Sequence, residues 1–195
     1  DVLGFTGVGR DISDRKARER ELERLERLNA VIRTIDDTMV TADTRDEVET
    51  AIVETFAAND AYRFGVIGRA RGVATGEGDS WEPTARAGID AAAADVCSSF
   101  VDPPVDADGE SALETRTVRR YRALRESSIE QWRHHAREHD YGAVAVVPIA
   151  ASNQPLGALV IGAAEPSAFP DREREVLHEF GGTIGHAINV MAVRR

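Results

Sequence analysis

Ala143-Val144-Ala145-Val146-Val147-Pro148-Ile149, a turn at Ser152-Asn153-Gln154-Pro155, and Leu156-Gly157-Ala158-Leu159-Val160-Ile161 are the residues that decide the fold. Two short apolar runs rich in β-branched residues, joined by turn formers, predict an antiparallel hairpin. Neither run alternates with polar residues, so both faces are expected to be covered, which puts the hairpin in the middle of a sheet. Downstream, Phe169-Pro170-Asp171 opens a helix, with proline suited to the first turn. Val176, Leu177, Phe180, Ile184, Ile188 and Met191 then recur at helical spacing. Gly181, Gly182 and Gly185 within that helix each cost about 1 kcal/mol relative to alanine. Close backbone approach to a sheet or a partner helix would explain them.

Upstream of the hairpin the signals are shorter. Ile129–His139 reads as a helix, Thr115–Tyr121 as a strand and Val101–Gly109, with two prolines, as a loop. Asp90 can cap a short alanine-rich helix that runs through Cys97 to Phe100. Trp81–Ala87 is a second strand, which Pro83 places at an edge or a bulge. Gly72–Gly78 is a glycine-rich loop, and Tyr62–Ile67 another strand. Thr44-Arg45-Asp46-Glu47 has the form of a capping box, followed by the stripe Val48, Ala51, Ile52, Thr55 and Phe56.

Residues 14–39 form a long helix by pattern, with Ser13 as its cap. Leu25, Leu28, Ile32, Ile35 and Met39 follow the alternating three- and four-residue spacing of a coiled-coil seam. We expect a homodimer through these five residues; the alternative is one amphipathic helix packing on its own domain. Residues 1–13 read as a strand whose partners lie elsewhere, since a lone strand is not stable. The chain starts with neither Met nor a basic leader, so it is expected to be part of something longer. Gly7-Val8-Gly9-Arg10-Asp11-Ile12-Ser13-Asp14-Arg15-Lys16 resembles the closing strand and exit of a PAS domain. That resemblance divides the chain into the terminal strand of a truncated PAS domain (1–13), a signalling linker helix (14–39) and a sensory domain (40–195).

The sensory domain resembles the GAF family. Val147-Pro148-Ile149, the return through Leu156-Gly157, and Phe169 followed by Glu173, Leu177 and Ile184 match its pattern of strand, hairpin and Phe-led closing helix. Trp132, Ala136, Tyr141-Gly142 and Pro148-Ile149 also look like the GAF domain of the haloarchaeal bacterio-opsin activator family, regulators built from PAS, GAF and helix-turn-helix parts. The resemblance implies an α+β fold: a GAF-like central antiparallel sheet of about five or six strands, flanked by helices, with a long N-terminal helix. It also implies a non-catalytic module that relays a small-molecule, redox or light-linked signal through its terminal helices. The same module in a sensor histidine kinase is the alternative.

Site residues are carried over one by one. Cyclic-nucleotide-binding members have an Asn-Lys pair, a Phe and an Asp-Glu pair; here Phe169 stands between Ala163-Ala164 and Glu173-Arg174, so that mode is not expected. Cys97 is followed by Ser98, not the histidine of bilin-binding members. Reductases of methionine sulfoxide with this fold need a second, resolving cysteine, and Cys97 is the only one. Phe64, Trp81, Phe100, Tyr121 and Trp132 are the candidates for lining a ligand pocket, with plain core as the competing role. His134, His135 and His139 lack a HExxH arrangement and are expected to lie on a solvated helix face, so no metal is expected. The cofactor, if any, is not legible.

Composition bounds the partners. Acidic residues number 34 against 24 basic ones, a net charge of −10, and Lys16 is the single lysine. Arginine in place of lysine together with so large an acidic excess resembles cytoplasmic proteins of salt-loving archaea. Phosphate binding needs clustered positive charge, so nucleic-acid contact by this fragment is not expected. No apolar run approaches the roughly 18–20 residues that span a bilayer, so no membrane contact is expected and the location is read as cytoplasmic.

Overall fold

The structure, a computed structural model, describes residues 2–71, 80–104, 107 and 109–194. The expected Gly72–Gly78 loop lies outside the described residues, as does part of the Val101–Gly109 loop. Helix α1 runs over Val2–Thr41, helix α2 over Arg45–Ala57, and the closing helix α7 over Asp171–Val193. Between them lie strands β1 (Tyr62–Arg71), β2 (Ser80–Ala87), β3 (Arg119–Tyr121), β4 (Ala143–Ala151) and β5 (Gln154–Ala163). Among the described residues there are also four short α-helices, α3 (Ala91–Ala94), α4 (Ser98–Val101), α5 (Ala112–Thr115) and α6 (Glu130–Glu138), and two 3-10 turns at Asp95–Cys97 and Leu124–Glu126. Among the described residues no helix is long and apolar enough to cross a membrane.

The strands form one antiparallel sheet in the order β2-β1-β5-β4-β3. The β4–β5 hairpin is central, as its unbroken apolar character requires. Its turn is tighter than expected: Ser152 and Asn153, at φ of 50° and 69°, form a two-residue reversal, and Gln154 and Pro155 already belong to β5. Side chains alternate between two cores. Ala145, Val147, Ile149, Leu159 and Ile161 face the long helices; Val144, Val146, Ala158 and Val160 face the short ones. Pro83 on β2 satisfies both expected roles, sitting on the edge strand and at the register shift opposite Gly68.

The long-helix layer consists of α1, α2 and α7. Thr44 caps α2 by accepting from the Glu47 N–H at 3.2 Å, while Glu47 reaches back to the Asp43 N–H at 2.8 Å. Glu49 is the unexpected member of this layer, being 1% exposed. Its carboxylate accepts from Arg45 Nε (2.7 Å), Arg69 Nε and Nη2 (both 3.2 Å) and Thr84 Oγ1 (2.8 Å), tying α2 to β1 and β2. Helix α7 lies close on β4: a Cβ at Gly181 would stand 2.4 Å from the Pro148 carbonyl oxygen, and one at Gly185 2.1 Å from that of Ala150. Nothing lies within 4 Å of a Cβ at Gly182. Two of the three glycines therefore mark backbone approach, and the third does not.

Three expectations are corrected. Residues 2–13 are the beginning of α1, not a strand. A helix satisfies its own backbone hydrogen bonds, whereas a strand there would find no pairing neighbour among the described residues. The Thr115–Tyr121 strand shrinks to Arg119–Tyr121 because Ala112–Thr115 closes a helical turn that ends on Arg116 in the left-handed region (φ 56°). Leu28 and Ile35 cannot form a dimer seam, since both are fully buried in their own chain's core. Ile32 and Met39 pack at the margin of that core, and Leu25 is half-buried.

Candidate functional site

The second face of the sheet is covered by short helices and connections, and all five aromatic candidates converge there. Phe64, Trp81, Phe100 and Trp132 are buried in this layer, and Tyr121 packs against it. Phe100, Tyr121 and Trp132 form a mutual cluster with ring centroids 4.6 to 5.7 Å apart. Trp132 of α6 also donates from Nε1 to Ser99 Oγ at 2.8 Å, so one side chain joins α4 to α6. Phe64 stands apart from this trio and packs edge-on to Tyr141 at 5.1 Å. Trp81 reaches from edge strand β2 over β1 to donate to the Ala158 carbonyl of β5 at 3.1 Å. Gly68 makes that crossing feasible, because a Cβ there would fall 2.4 Å from the Trp81 ring.

Polar groups within the layer are incompletely paired. The Tyr121 hydroxyl is buried without a hydrogen-bond partner among the described residues. His135 is 5% exposed, which corrects the expectation of a solvated face; His134 alone of the three is openly exposed. The Nδ1 of His135 shares a 2.6 Å hydrogen bond with the Tyr141 hydroxyl, and Nε2 makes no regular hydrogen bond among the described residues. Burial, reinforced by His139 at 4.4 Å between ring centroids, pulls the His135 pKa below its ordinary value. Burial pushes the Tyr141 hydroxyl up, so it stays protonated and is able to donate to Nδ1 when the imidazole carries its proton on Nε2.

The sign of the resulting pH dependence follows. A depressed histidine pKa means that the unfolded chain binds more protons, so stability is present above about pH 6.5 and is lost as pH falls through the folded value. Urea unfolding at pH 5 and pH 7.5 is expected to show a larger acid loss for the native chain than for His135→Gln. Equal losses would contradict a buried neutral His135.

Cys97 is fully buried in the same layer, and burial pushes its thiol up to about 12. Such a thiol carries almost no thiolate near neutrality. Sequence alone gave no sign of the Tyr141–His135 pair, because it forms across the end of α6 and depends on the chain folding back at Asp140 (φ 54°).

A five-stranded antiparallel sheet between a layer of long helices and a layer of short helices and loops defines an α+β domain. The chain belongs to the GAF family: the GAF domain model matches residues 42–189. It is similar to the bacterioopsin transcriptional activator of Halobacterium salinarum, 27% identical over 202 residues that cover 100% of this chain and 28% of that protein. The chain thus spans 28 and 29% of the length of the curated relatives it matches.

Among solved structures it is similar to the GAF domain of a phosphoenolpyruvate-protein phosphotransferase from Coxiella burnetii. The TM-score is 0.62 at 16% identity, covering 87% of this chain and 96% of that one. It is also similar to the free methionine-R-sulfoxide reductase of Neisseria meningitidis, with TM-score 0.61 at 9% identity, covering 86% and 92%. At such identities these two show the fold alone.

Proposed function

We propose that this chain is the sensory module of a haloarchaeal transcription regulator, taking a small ligand into the short-helix layer and relaying its presence through α1 and α7. The observation that carries this reading is the Tyr121 hydroxyl, buried inside the Phe100–Tyr121–Trp132 cluster with no hydrogen-bond partner among the described residues. A hydroxyl without a partner is costly to bury, and a ligand that supplies one would offset that cost. Helices α3, α4 and α5 have four residues each, too short to persist without tertiary contacts, so their placement depends on the side chains packed beneath them.

The relay has a structural route. Ala158 and Val160 of β5 face the aromatic layer, while Leu159 and Ile161 face the long helices. Arg24 and Arg27 of α1 border one cavity with Glu173 of α7; Thr44–Asp46, just beyond α1, border another with Ile188 and Met191. The two helices therefore run side by side in the same direction, so a change at one end can be carried to the other. A population shift needs only a ligand that favours one packing over the other.

The module is non-catalytic in this reading. The buried Cys97, with its raised pKa, supports that against a reductase role, and methionine sulfoxide turnover that vanished in Cys97→Ser would oppose it. A homodimer is proposed through the face of α1 that the core leaves available, Leu22, Leu25, Ile32 and Met39. Light scattering in concentrated KCl is expected to give twice the chain mass, and Ile32→Glu a single chain. Thermal unfolding across a panel of small metabolites tests the sensing role: at least one compound is expected to raise the midpoint, and less so in Trp132→Ala. A panel without effect would count against it.

A further inference from the structure

On the opposite side of the sheet, where α1 meets the first turn of α7, lies a partly enclosed cavity of about 120 Å³. Arg24 and Arg27 of α1, Tyr62 of β1, Ala164 and Phe169 of the β5–α7 connection, and Glu173 of α7 border it. Glu173 is 3% exposed, and its Oε2 has no hydrogen-bond partner among the described residues. Arg24 pairs through Nη1 with Glu165, but its Nε–H is also buried without an acceptor among the described residues. One wall therefore lacks a donor and another lacks an acceptor. Ala163, Ala168 and Phe169 supply apolar surface, and Asp60 and Glu165, the latter paired with Arg24, add carboxylates at its border.

Buried charged groups left unpaired are unfavourable by about 1–3 kcal/mol or more each. A single occupant that offers a hydrogen-bond donor at one end and an anionic acceptor at the other satisfies both. A cavity of roughly 150 Å³ accepts benzene, so this one holds a molecule of about five or six non-hydrogen atoms. We propose that it is a second ligand site, for a small carboxylic acid bearing a donor on the adjacent carbon. Its carboxylate meets Arg24 and Arg27, and its ammonium or hydroxyl meets Glu173 Oε2. Burial raises the Glu173 pKa, in keeping with an Oε2 that has no donor among the described residues. Because the cavity lies between α1 and α7, an occupant bridges the two helices that the proposed relay uses. The site is distinct from the aromatic layer and does not depend on it.

Titration calorimetry of the whole chain in concentrated KCl tests this, with L-alanine and L-lactate as the two-function probes and acetate and ethylamine as single-function controls. Saturable binding of alanine or lactate is expected, with acetate and ethylamine about ten- to a hundredfold weaker, the range for losing one charge-assisted hydrogen bond. A tighter grip on alanine assigns the donor as an ammonium, and a tighter grip on lactate as a hydroxyl; both support the site. Ala164→Leu fills the space without removing a charge and is expected to abolish binding. Glu173→Gln is expected to weaken alanine at least tenfold; both variants are compared only after they show cooperative unfolding. No saturable binding of either acid, acetate binding as tightly as they do, or binding untouched by both substitutions would overturn the proposal.

Discussion

Replacing Glu49 by alanine is expected to destabilise the chain by about 3 kcal/mol, the lower end of the 3–5 kcal/mol seen when one partner of a buried ion pair is removed. The carboxylate is 1% exposed and accepts four hydrogen bonds from Arg45, Arg69 and Thr84. Its loss leaves two guanidinium groups and a hydroxyl facing each other across the α2–sheet junction. Arg45 and Arg69 keep some access to water (24% and 32% exposed side chains), which is why the lower figure applies. Asp46 also pairs with Arg69, but its side chain is 85% exposed. Asp46→Ala is therefore expected to change stability by about 0–1 kcal/mol, and molar salt screens that pair further. Urea unfolding of both variants checks the contrast. Equal effects would mean that Glu49 is not the buried link.

The second large effect is a difference in sign along one helix. Gly182→Ala is expected to stabilise by about 1 kcal/mol, because the added methyl meets open space and alanine favours the helix. Gly185→Ala gains the same propensity but drives its Cβ to 2.1 Å from the Ala150 carbonyl oxygen. That neighbour is main chain of a central strand and cannot rotate away, so α7 must lift from β4. Overpacking of this kind typically costs about 1–3 kcal/mol, occasionally more. Here it is expected to exceed the propensity gain, and Gly181→Ala, at 2.4 Å from Pro148 O, to behave alike. Thermal unfolding should therefore move the Gly182 variant up and the other two down. A neutral Gly185→Ala would place α7 farther from the sheet than described.

What sequence reading reached, and where it stopped, follows from which interactions are local. The hairpin and α7 were legible because burial on both faces of β4 and β5 leaves no polar alternation, and because helix period shows over 23 residues. The Thr44 and Asp90 caps were legible for the same reason: each cap bonds within three residues. The α1 seam was legible as a stripe but not as to what covers it. Leu28 and Ile35 turn inward, whereas Leu25, Ile32 and Met39, one heptad apart, stay at the margin. Heptad spacing cannot say whether the partner is another chain or the helix's own domain.

For the candidate site, all five aromatics do lie together on one face of the sheet. Their mutual packing, however, depends on non-local pairs such as Phe100–Trp132. The buried polar groups were invisible in the sequence. His135 was read as solvated, the helix stripes around Glu49 and Glu173 carry no sign of a buried carboxylate, and the folded arrangement of the elements buries all three. Those same groups supply the Glu49 junction, the α1–α7 cavity and the Tyr141 pair.

The sensing role is tested most directly by denaturing the protein purified from its natural host and identifying released small molecules by mass spectrometry. One compound near one equivalent per chain is expected, and it should be lost or strongly reduced in Trp132→Ala. Recovery of no compound from the native chain, or of the same compound in equal amount from the variant, would contradict a ligand held in the aromatic layer.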